Sequence, residues 1–154
     1  MDLLLRLEQS GIGAWVNGST STFLGYPGIL LVHTIGMTLL AGTSLVIGLR
    51  IIGFAPQAPM REMLKLFPLI WTGLVLSSVS GTLLLIAKAA TMIVNPAFYV
   101  KMVAVVLAVG ATLRIERSRL LAGACIGLWL IAIAAGRMMA YIGEAEHFGM
   151  LILK

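Results

Sequence analysis

Charge is what this 154-residue chain has least of: 11% of its residues are charged, with six acids and eleven Lys or Arg, against roughly a quarter in ordinary globular domains. Every acid (Asp2, Glu8, Glu62, Glu116, Glu144 and Glu146) falls outside the long apolar blocks or at their margins. One cysteine, Cys125, excludes a disulfide framework and a Cys-based metal motif. A phosphate-binding glycine loop, a GxSxG elbow and an HExxH pair are all missing, which removes the usual hydrolase and kinase chemistries. Electron transfer is the one activity left open. The start also lacks a basic region followed by an apolar run, so Met1 to Ser10 reads as a retained segment rather than a signal peptide.

Apolar residues make up 60% of the chain, and the mean hydropathy is +1.04. They form four blocks, over 28–52, 66–90, 96–114 and 119–142, each near the roughly 20 residues that cross about 30 Å of hydrocarbon. Unpaired amides are too costly in lipid for irregular segments, so the blocks should be helices. The expected fold is all-α: one integral membrane domain over 1–154, a four-helix transmembrane bundle. Leu3, Leu4, Leu7, Ile12, Trp15 and Val16 recur at helical spacing, which predicts a short amphipathic helix over 2–16 lying on the membrane surface, followed by a loop from Asn17 to Thr22.

Bases cluster between the first and second blocks (Arg50, Arg61, Lys65) and between the third and fourth (Arg114, Arg117, Arg119). The positive-inside rule makes both loops cytoplasmic and both termini periplasmic, in a bacterial inner membrane. With the bases at helix ends, the pI of 9.9 carries no nucleic-acid signal. Small residues in helical register mark packing faces: Gly73, Ser77 and Gly81 at steps of four in the second helix, with Ala41, Ser44 and Gly48 on one side of the first. Gly123 and Gly127 form a GxxxG pair that suits either the bundle or a homo-oligomer seam.

Few residues can carry chemistry. His33, a few residues into the first helix, and His147, beyond the fourth, are the only histidines. Lys88, Lys101 and Arg137 lie in the same half of the bilayer. Stepping from Gly81 turns Lys88 toward the interior. With no acid inside any block, these bases either reach lipid phosphates, pair with Glu144 and Glu146, or hold an anionic ligand. Met37 stands four residues from His33, so one face presents an imidazole and a thioether; with Met138 and His147 these make a candidate Cu(I) set.

Taken in order, LEQSGIGAWV, LVHTIGMTLLAGTSLVIGLRIIG, the segment from WTG to SGTLL, NPAFYVKMVAV and AGRMMAYIG give a chain that resembles a family of bacterial four-helix membrane proteins distantly similar to the CopD copper-resistance membrane domain. The resemblance implies a heme- or copper-associated role near the periplasmic face, with His33, Lys101 and Arg137 as its recurrent polar positions. Three functions follow. One is a heme b or electron-transfer protein with His33 as axial ligand, a second ligand from His147, from a methionine such as Met138, or none, and Lys88, Lys101 and Arg137 available to the propionates. Another handles copper through His33 and Met37. The third is a non-catalytic accessory subunit of a larger membrane complex.

Overall fold

The computed structural model describes residues 2–18, 25–54 and 56–152, with side chains for 4–18, 25–54, 56–139 and 141. Every regular element among them is helical: α1 (Asp2–Glu8), α2 (Gly11–Gly18), α3 (Tyr26–Ile52), α4 (Met60–Leu64), α5 (Phe67–Ala87), α6 (Ala89–Val94), α7 (Pro96–Thr112) and α8 (Arg119–Ile152), with a 3-10 turn at Ile115–Arg117. Three stretches are long and apolar enough to cross a membrane: Tyr26–Ile52, Met60–Ala87 and Arg119–Met139. The fourth, α7, is apolar but has 17 residues.

Local chemistry sets the ends. Prolines sit in the first turns of α3, α5 and α7, where no amide is needed. Asn95 caps α7 by accepting from the Ala97 N–H at 2.9 Å. Gly53, at φ 107°, ends α3 in the left-handed conformation that favours glycine, and its N–H bonds back to Leu49 and Arg50.

Three contacts organise the long helices: α3 on α5, α7 on α8, and α3 on α8. All three pairs are antiparallel, and α5 and α7 flank the assembly without packing along one another. The α3–α5 contact is backbone on backbone. A β-carbon on Gly73 would stand 2.7 Å from the Gly36 carbonyl oxygen and 2.7 Å from the Leu40 nitrogen; one on Gly36 would stand 2.7 Å from the Ser77 nitrogen. The α7–α8 seam sets a row of alanines on α7 against Ala, Cys and Trp on α8, in a 3,4 repeat. Ala97, Ala104, Ala108 and Ala111 on α7 are buried, as are Ala122, Cys125, Trp129 and Ala132 on α8. Where α3, α7 and α8 meet, Thr112 Oγ1 lies 3.2 Å from both Ser44 Oγ and Cys125 Sγ, and Trp129 Nε1 donates to it at 3.4 Å. These four side chains are fully buried, and no buried side-chain N or O among the described residues lacks a partner.

Several expected boundaries shift. The helix over 2–16 is two helices, broken at Gln9 and Ser10, where the Ser10 hydroxyl donates to Leu7 O and accepts from the Gly13 N–H. Asn17 and Gly18 extend α2, and the rest of the expected loop, 19–22, lies outside the described residues. The second long helix stops at Ala87 because Lys88 (φ −136°, ψ 41°) leaves helical geometry, and 89–94 forms the separate α6. The N-terminal segment satisfies this break. Asn17 Nδ2 donates to Ala87 O at 2.9 Å, and Glu8 accepts from the Ala90 N–H at 3.2 Å. Val16, fully buried, packs with Ile29, Leu84 and Ala87 beneath this collar. The last helix continues past 142 to Ile152, about 50 Å in all at 1.5 Å per residue.

Gly123 and Gly127 face nothing within 4 Å, so among the described residues the GxxxG pair serves no contact within the chain. Glycine substitutions should therefore separate sharply. Gly73→Ala is expected to cost about 2 kcal/mol, because backbone must move to admit the methyl, whereas Gly123→Ala should be neutral or mildly stabilising. Reversible unfolding in mixed micelles, followed by circular dichroism, measures both; equal effects would contradict the Gly36–Gly73 contact.

Candidate functional site

The close approach of α3 and α5 delivers His33 onto α5. Its ring crosses Gly81, whose absent side chain makes the room: a β-carbon there would lie 3.0 Å from His33 Cε1. Nδ1 is 3.1 Å from the Ser77 carbonyl oxygen and 3.1 Å from Ser80 Oγ. The carbonyl can only accept, and the Ser80 hydroxyl already donates to Leu76 O. Nδ1 therefore carries the proton and donates. In the neutral ring the lone pair is then on Nε2. A backbone acceptor on Nδ1 is the usual way of orienting an imidazole whose Nε2 binds something else.

Lys101 reaches the same region from α7. It holds one position of the seam repeat Ala97, Lys101, Ala104, Ala108, where Gly136 opposes it. Its Cδ, Cε and Nζ lie 3.7 to 3.8 Å from where a Gly136 β-carbon would stand, so the stem runs over bare backbone. The side chain is half-buried. Among the described residues the one salt bridge is Lys65 to Glu62, at the opposite end. By register, His33 and Lys101 hold the upper of two polar positions shared by α3 and α7. The lower, Ser44 with Thr112, comes eleven residues further along both chains, which is three helical turns.

The other candidates separate from this pair. Lys88, expected to face inward, is exposed, because the break at 88 swings it out; its Nζ lies 4.7 Å from the Tyr26 ring centroid. Arg137 is exposed next to the seam, its guanidinium 5.9 Å from the Tyr141 ring and 3.4 Å from the Tyr141 hydroxyl. Met37 packs against the core cluster, whereas Met102 and Met138 are exposed on α7 and α8. The side chains of His147, Glu144 and Glu146 lie outside the described residues, so their expected pairings do too. Among the described residues no three His, Cys, Asp or Glu groups converge.

Two signals for this arrangement stand in the sequence. One is the 4,3 spacing of alanines that includes Lys101, and the other is the pair Ser77 and Ser80 flanking the second helix's glycine face. The second implies a test. Ser80→Ala should leave Nδ1 bonded to the Ser77 carbonyl alone and loosen the ring, whereas Ser80→Thr should preserve it. Nitrogen NMR of the His33 ring in bilayers reads this directly: a single neutral tautomer protonated on Nδ1 in the parent and in Ser80→Thr, and a mixture in Ser80→Ala. A parent protonated on Nε2 would contradict the assignment. No protein-family model, curated protein or solved structure matches this chain.

Proposed function

We propose that the chain is an integral protein of the bacterial inner membrane, crossing it four times with both termini periplasmic, and that its outer half binds heme b through His33. The flanks support insertion. Val75 and Val79 on α5 and Val106 on α7 are 60% to 65% exposed in the isolated chain, a surface that water does not tolerate over such lengths and lipid does. At 17 residues α7 spans about 26 Å, just enough for the hydrocarbon, and Asn95 and Arg114 bound it on either side. Six bases at the α4 and 3-10 end fit the cytoplasmic face. Leu5, Leu7, Ile12 and Trp15, all exposed on α1 and α2, fit an interfacial collar at the periplasmic one.

The observation that carries the heme reading is the state of His33: Nδ1 is held by Ser77 and Ser80, which presents Nε2 as a ligand. The donor set fits the group. Imidazole is an axial ligand of b-type heme, and Lys101 supplies a cation for a carboxylate. When bound, the iron would supply one-electron chemistry at a potential set by ligand and burial. This chain's own residues hold the imidazole in one tautomer and keep an ammonium beside it. Copper is less well served, because the methionines point to different faces.

The visible spectrum decides. Protein purified from heme-replete cells should show a Soret band that shifts on dithionite reduction, and His33→Ala should lose at least nine-tenths of it. A colourless parent, or an unchanged band in the variant, would overturn the assignment.

A further inference from the structure

The His33 centre is closed at one end and open at one side. On α3, Ile29 lies one turn from His33 toward the periplasmic end; on α5, Leu84 and Ala87 lie one and two turns beyond Gly81 in the same direction. Val16 of α2 fills the space among all three and is itself fully buried. Asn17 and Glu8 fasten this plug to the backbone at Ala87 and Ala90. Over Lys101 the seam is closed in the same direction by Ala97, buried one turn away. Below, the centre rests on the core of Leu40, Ala104 and Ala108. Yet His33 and Lys101 are only half-buried, and the helices on which they border, α5 and α7, do not pack along one another.

From this we infer that the His33 and Lys101 centre takes its ligand sideways from the bilayer, between α5 and α7, and that the α1–α2 collar is a seal against the aqueous phase. The ligand class follows: an amphiphile that partitions into membrane, with an apolar body and a head that engages Nε2 and offers an anionic oxygen to Lys101. The inference rests on the reading of His33 as a binding centre, and heme, a largely apolar macrocycle with two carboxylates, is one member of the class.

Amine labelling tests the route without any bound ligand. Full-length protein in lipid nanodiscs is treated with phenyl isothiocyanate, which enters the bilayer, or with its sulfonated analogue, which stays in water, and modified lysines are located by peptide mass spectrometry. Lys88, exposed at the collar, should react with both. Lys101 should react with phenyl isothiocyanate and at least tenfold more slowly with the sulfonated reagent, once each rate is scaled to Lys88. Val16→Asp should raise sulfonated labelling of Lys101 several-fold, and Asn17→Ala, which leaves the apolar plug in place, should raise it less. Lys101 labelled equally by both reagents in the parent, labelled by neither, or unaffected in both variants would overturn the proposal. A colourless preparation that still shows the differential labelling would remove heme while keeping the route.

Discussion

The contact between the backbones of α3 and α5 at Gly36 and Gly73 sets the rest of the structure. With no side chain at either position, the helices approach until the Ser77 amide nearly touches the place where a Gly36 β-carbon would be. One turn along α3, that proximity lets an imidazole rest against α5 and reach the Ser77 carbonyl. In lipid the hydrophobic effect gives helices no reason to associate, so close packing and interhelical hydrogen bonds have to do so. Here one contact supplies the packing and the next turn supplies the hydrogen bond.

The second pair of helices solves the opposite problem, how to carry a cation inside an apolar seam. Alanines repeat along α7, and a lysine takes one of their places only where α8 offers Gly136. The cost of an ammonium in that setting is high, so the position is poor economy for packing alone. Its proximity to His33 makes sense as part of a site to which all four long helices contribute: His33 from α3, Ser77, Ser80 and Gly81 from α5, Lys101 from α7, and Gly136 from α8. The Ser44, Thr112, Cys125 and Trp129 cluster three turns away joins α3, α7 and α8 with every polar atom satisfied.

Much of the fold is legible in the sequence, because long apolar blocks bounded by Pro, Gly and Arg have few alternatives to helix. Gly73, Ser77 and Gly81 identify the α5 face that meets α3. What the blocks hide is continuity. Nothing in the run from Leu83 to Val94 marks the break at Lys88, since it is made tolerable by Asn17 and Glu8 from seventy or more residues away. The same break explains why helical stepping from Gly81 places Lys88 wrongly. For the site, His33 stands out as an ionisable group within an apolar block, but its tautomer depends on two acceptors from another helix. Lys101 stands out as a charge, and its position in the alanine repeat is readable once α7 is aligned against α8. Composition alone does not bring it to His33.

The proposed centre depends on that juxtaposition, and a dipolar recoupling experiment in lipid bilayers measures it. With the Lys101 side-chain nitrogen and the His33 ring carbons isotopically labelled, the imidazole carbons should be dephased by the lysine nitrogen, and less so in Gly136→Leu, where the lysine stem loses its path. Imidazole carbons that show no dephasing in the parent would mean that α3 and α7 do not bring the two groups together, and the proposed centre would fall.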